Sequence, residues 1–240
     1  MASEYLKWKY RDVKPAEKVE LTRSEKRKNW WYYHKWHVVI GVVLAGIGIN
    51  ILCHALGLGQ IRPDYQIAYV GDNALPDDTA AAIEAAFASL GEDLNGDGRI
   101  TVRLNQYAST GGFDAEMAVS AEVTLMADIM NRDSYFFLLE NPAWFQVNYR
   151  SLRRLDGSLP PEGDYSADGT YLAWGDCPAL ANMELGSYSY QAVGNTVTGS
   201  SDELAAGLSV ARRGFWTGES CKYPEGCDAL WDKLVEGAVQ

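Results

Sequence analysis

DYQIAYVGD, residues 64–72, is the stretch from which the rest of the chain can be read. Tyr65–Val70 is a short apolar run with an acidic residue on either side, which is strand length and strand composition. Pro76 follows at a plausible first helical turn. Asp77–Leu90 then carries helical spacing through Ile83, Phe87 and Leu90. RITVRLNQY, residues 99–107, alternates, with Ile100, Val102 and Leu104 on one face of a second strand. Asp114–Met130 is rich in Ala, Met and Glu and reads as a helix. YFFLL, residues 135–139, is uninterrupted apolar sequence of the kind buried on both faces in a parallel sheet. The order β-α-β-α-β over 64–140 predicts an α/β domain with a mostly parallel, doubly wound sheet. Parallel neighbours need such a crossover, because a tight hairpin cannot join them. Beyond Glu140 the pattern predicts a helix over 142–155, a loop over 156–170, strands over 188–193 and 208–215, and a last helix over 227–239.

Upstream lies the one long apolar run, HVVIGVVLAGIGINILCHALGL, residues 37–58, without a single Asp, Glu, Lys or Arg. As a helix it is ~33 Å long, enough for a hydrocarbon core of ~30 Å. Residues 1–36 hold ten Lys/Arg against five Asp/Glu, and residues 61–240 hold eleven against twenty-seven. The basic side faces the cytoplasm by the positive-inside rule, so the chain divides into a cytoplasmic tail (1–36), a single transmembrane helix (37–58) and an extracytoplasmic domain (59–240). Trp30, Trp31, Tyr32, Tyr33 and Trp36 form an aromatic belt before the span, and Thr22 with Glu25 has capping-box spacing. The 36 residues ahead of the run are too many for a cleaved leader, which predicts a permanent signal anchor in the cell membrane. Asn50 and His54 share a helix face one turn apart. They either meet a membrane-protein partner or reach interfacial water. The acidic outer domain repels nucleic acid and anionic lipid.

The succession DYQIAYVGD, helix, RITVRLNQYA, helix, SYFFLLENP resembles the first lobe of extracellular solute-binding proteins of the periplasmic type II kind. The stretches WWYYHKWHVVIG and DLNGDGRITVRLNQY are also similar to uncharacterised membrane-anchored proteins of Gram-positive gut bacteria. The resemblance implies a binding lobe rather than a catalyst. Residues 141–207 are too few for a full second lobe.

The chemistry-bearing candidates are few. Asp93, Asn95 and Asp97 alternate with Gly96 and Gly98, and with the Arg99 backbone carbonyl they open like a calcium loop. The twelfth position is Leu104, so the bidentate acid is missing, and the expected cofactor is none or weakly bound calcium. The alternative is a turn in which these side chains bond their own backbone. Cys221 and Cys227 bracket KYPEG and predict a disulfide closing a small loop, with Cys177 able to take either partner instead. Trp144, Trp174 and Trp216 are candidates for a ligand face, and packing is the alternative. All three histidines, His34, His37 and His54, precede the outer domain. That excludes Ser-His-Asp and Cys-His hydrolysis there. The function expected is a membrane-anchored, non-catalytic extracytoplasmic binding or interaction domain. The rivals are a carboxylate-dependent cell-envelope hydrolase and a structural subunit of a membrane complex.

Overall fold

The computed structural model describes residues 4, 9, 20, 22–55, 62–108, 115–192, 194–215 and 221–238. The chain forms two compact units, Met1–Ile61 and Arg62–Gln240. The first contains helix α1, Arg23–Ala55. Thr22 caps it as its spacing predicts: the Thr22 amide donates to Glu25 at 2.8 Å, and the Glu25 amide donates back to Thr22 Oγ1 at 3.4 Å. The apolar side chains of α1 are exposed on every face, and the helix is long and apolar enough to cross a membrane.

In the second unit the elements run β1 (Tyr65–Gly71), α2 (Asp77–Leu90), β2 (Val102–Ala108), α3 (Ala115–Asn131), β3 (Phe136–Leu139), α4 (Pro142–Tyr149), β4 (Tyr171–Ala173), α5 (Pro178–Ala181), β5 (Ser187–Ala192), β6 (Asn195–Ser200), α6 (Ser201–Ala206), β7 (Ser209–Arg212) and α7 (Pro224–Val235). Five strands form one sheet in the order β2-β1-β3-β7-β4. The expected βαβαβ core is present. β1 pairs in parallel with β2, Tyr65 opposite Val102, and with β3, Ile67 opposite Phe136. The remainder of the sheet is mixed, because β7 runs antiparallel to both β3 and β4. The strand expected over 188–193 lies outside this sheet, in a separate β5–β6 hairpin.

The burial of β1 explains its central place. Tyr65, Ile67 and Tyr69 face one core cluster with Ile83 and Phe87 of α2 and Trp231 of α7. The alternate residues Ala68 and Val70 face a second cluster with Leu125 of α3 and Phe145 of α4. Phe136 and Phe137 divide between the same two clusters, and each fully buried Phe contributes ~1.5–3 kcal/mol. A strand apolar at odd and even positions alike needs helices on both faces, and it has them.

The second face closes around a buried ion pair. Asp128 of α3 accepts from the Tyr107 hydroxyl at 2.7 Å, the Ser134 hydroxyl at 2.6 Å and the Ser134 amide at 3.0 Å. Arg213, just after β7, stands 4.0 Å from the Asp128 carboxylate and donates to the carbonyls of Asp128, Ile129 and Ser134. The guanidinium thus binds the last-turn carbonyls of α3, where a cation is favoured. Burial pulls Arg213 below its ordinary pKa, and Asp128 opposes that pull. Burial and the Asp128 partner push the Tyr107 hydroxyl well above its ordinary pKa. Asp128→Ala strands both Arg213 and Tyr107, and is expected to cost about 3–5 kcal/mol in urea unfolding. A cost under ~1 kcal/mol would mean that the pair does not hold the domain together.

Candidate functional site

The strand order reverses at β1. β1 and β3 are neighbours, and the connection that leaves β1 leads to β2 on one side while the connection that leaves β3 leads through α4 towards β4 on the other. Open α/β sheets bind ligands in the crevice this leaves. Here a crevice of ≈450 Å³ is lined by Val70, Gly71, Asp72, Glu140, Asn141 and Trp144, from the ends of β1 and β3 and the start of α4. A neighbouring hollow of ≈520 Å³ shares Glu140 and adds Tyr69, Asn73, Asp77, Tyr188 and Tyr190.

Glu140 organises the site. One carboxylate oxygen accepts from the Tyr69 hydroxyl at 2.7 Å and the other from the Asp72 amide at 2.8 Å. The Tyr69 hydroxyl also lies 2.7 Å from the Asn73 carbonyl. Burial, then the Glu140 bond, push that hydroxyl well above its ordinary pKa, so it stays a proton donor. The arrangement needs Gly71: a Cβ there would sit 2.6 Å from Tyr69 Cζ and 2.7 Å from Glu140 Cδ. Asn141 accepts from the Trp144 amide at 2.9 Å, with Pro142 at the first helical turn. This cap starts α4 at the crevice edge and holds Trp144 in its wall, 45% exposed. On the other side, the Ser189 amide donates to Asp78 at 3.0 Å, tying the hairpin to the start of α2. Tyr188 and Tyr190 stack there with ring centroids 6.2 Å apart. The lining offers carboxylates, amides and aromatic faces, and no Lys or Arg among the described residues. Such a surface accepts hydrogen bonds from hydroxyl or ammonium groups and stacks an apolar face.

The sequence candidates lie elsewhere, apart from Trp144. In the 93–98 loop, Asp93 accepts from the amides of Gly96 at 2.7 Å and Gly98 at 2.8 Å. Asn95 accepts from the Asp97 amide and Asp97 from the Arg99 amide, both at 2.9 Å. Gly96 and Gly98 have φ of +75° and +82°, which is why glycine stands at both. These amide bonds hold Asp93 below its ordinary pKa, the Gly98 amide most of all. Asp64, buried beneath, gathers the amides of Leu94, Asn95 and Thr101 at 2.7–2.9 Å. Asp93, Asn95, Asp97 and the Arg99 carbonyl remain the residues that would hold calcium. Among the described residues no cluster of three or more acidic, His or Cys side chains gathers around them.

The expected Cys221–Cys227 disulfide is absent, and both residues are free thiols. They are buried in the first core cluster beside Leu230 and Trp231, where free cysteine packs as a small apolar side chain. The Cys227 thiol donates to Cys221, and that bond with burial holds Cys227 well above its ordinary pKa. Cys177 is fully buried, and burial pushes its thiol up to about 12. Trp174 is core, at 5% exposure, and so is no ligand face. Trp216 lies outside the described residues. The sequence reading missed Tyr69, Asp72, Glu140 and Asn141. The available signal was their place at the C-terminal ends of two strands it had found, with Asn141-Pro142 a ready helix start.

No protein-family model, no curated protein and no solved structure matches the chain.

Two outcomes follow. Calorimetric titration should show calcium binding no tighter than ~10⁻⁴ M, lost in Asp93→Ala/Asp97→Ala; micromolar binding would require a distant carboxylate. A thiol whose folded pKa is raised favours folding below its unfolded value of ~8.5, and that contribution is lost as the pH rises towards 12. Cys177 should therefore resist alkylation at about pH 8 until denaturant is added, and Cys177→Ala should flatten the alkaline loss of stability.

Proposed function

We propose that the chain is a membrane-anchored, non-catalytic extracytoplasmic binding domain that holds a small neutral or cationic solute at its sheet crevice. The carrying observation is the crevice itself, with Glu140, Asp72 and Trp144 set around the switch point of the parallel strands. A core of three parallel strands with a later strand inserted antiparallel supports a likeness to a single solute-binding lobe. The basic segment 1–36, ahead of the apolar run of α1, supports an N-terminus in the cytoplasm and the acidic domain outside, which suits a cation-rich surface. The absence of histidine from residues 59–240 removes the commonest general base and supports binding over catalysis.

Protease treatment of intact cells should remove the outer domain and leave a membrane-bound stub; a tail cleaved from outside would reverse the topology. For the ligand, the full chain in detergent is scanned for thermal stabilisation by neutral sugars, free amino acids, polyamines, citrate and inorganic phosphate. A sugar, amino acid or polyamine should raise the melting temperature, and Glu140→Gln should weaken it about 10–100-fold through loss of a charge-assisted bond. Stabilisation by the anions alone, or binding indifferent to Glu140→Gln, overturns the assignment.

A further inference from the structure

Helix α3 presents a second apolar surface, on the side away from the sheet. Leu125 and Asp128 point inward and are 2% and 3% exposed. On the opposite side Val119, Val123, Met126 and Met130 are 60%, 64%, 44% and 71% exposed. They lie four, three and four residues apart, the spacing of a coiled-coil seam. Beside this seam a groove of ≈150 Å³ runs between α3 and α4, lined mainly by apolar atoms of Val119, Leu125, Trp144 and Tyr149, with Glu122 at its rim. Isolated exposed apolar residues are ordinary, but four in register along one helix beside an apolar groove mark an interaction surface.

The charge around the seam selects the occupant. The exposed ionic side chains of α3 are Glu116 and Glu122, one on each flank of the seam. Arg132 and Arg150 come only after the ends of α3 and α4. A second copy would set the same acidic flanks of α3 against each other. An anionic lipid surface would be repelled by both glutamates. A helix with an apolar stripe and Lys or Arg beside it matches both the spacing and the charge. We infer that the outer face of α3 and the α3–α4 groove dock an amphipathic, basically flanked helix of a partner protein. The groove shares Val70 and Trp144 with the wall of the proposed solute crevice, but the residues tested below line neither hollow of it.

The test uses the full chain in phosphatidylcholine nanodiscs and three synthetic peptides of about three heptads. One has Leu at the seam positions and Lys on the flanks, one has Leu with Glu, and one has Ser with Lys. The Leu/Lys peptide should bind saturably above empty nanodiscs and become helical by circular dichroism. The other two should bind at least ~10-fold more weakly, a difference of about 1.4 kcal/mol or more. Val123→Ser/Met126→Ser should weaken Leu/Lys binding at least ~10-fold with the melting temperature unchanged, because both side chains stand in solvent. Glu116→Gln/Glu122→Gln should weaken it a few-fold and reduce its salt dependence. The proposal is overturned if the Ser/Lys peptide binds equally well, if Val123→Ser/Met126→Ser leaves binding intact, or if there is no binding above empty discs. Self-association of the chain that Val123→Ser/Met126→Ser abolishes would assign the seam to a second copy and equally overturn it.

Discussion

The α/β domain depends on the pairing of Asp128 with Arg213. Asp128 lies on α3 and Arg213 just past β7, 85 residues apart, yet each is under a tenth exposed and each is satisfied by the other's surroundings. Through Tyr107, Ser134 and the end carbonyls of α3, the pair joins β2, the start of β3, α3 and β7. A buried charge tolerates no looser arrangement, since its desolvation is offset only with every hydrogen bond in place. The antiparallel insertion of β7 is what delivers Arg213 to that position.

With that closure made, the crevice follows from topology. With α2 packed on one face and α3 and α4 on the other, the connections leaving the neighbouring strands β1 and β3 diverge at their C-terminal edge. Glu140 then spans the gap, taking the Tyr69 hydroxyl and the Asp72 amide across a glycine that leaves room for it. Tyr69 is both a core residue of β1 and the hydroxyl that fixes Glu140, so the packing and the crevice wall share one side chain. The seam of α3 is made by the same construction. The helix commits Leu125 and Asp128 inward, and the residues half a turn away are left facing solvent.

The 93–98 loop and the cysteines show how one local sequence fits more than one arrangement. Asp93, Asn95 and Asp97 have the spacing of a metal loop, but the same oxygens also fit backbone amides two to five residues on, and in this structure they bond those amides. Asp64, which gathers the loop from beneath, carries no local mark of that role, because its partners lie 30–37 residues away. Cys221 and Cys227 are near enough in sequence to suggest a bridge. The amphipathic face of α7 carries Cys227 into the apolar core instead, where a thiol packs as it stands.

The sequence by itself determined the long apolar helix with its Thr22–Glu25 cap, the three parallel strands and their crossover helices, and the lack of histidine in residues 59–240. Each of these is local: a run of 22 uncharged residues, a period of two or 3.6, an absent residue type. The tertiary structure alone decided the direction and place of β7, the exile of the β5–β6 hairpin from the sheet, and the burial of Trp174 against the exposure of Trp144. It also decided the meeting of Tyr69, Asp72 and Glu140, because that meeting joins strand ends 68–71 residues apart. Only the relative placement of whole strands, set by packing on both faces of β1, brings such residues within hydrogen-bonding distance.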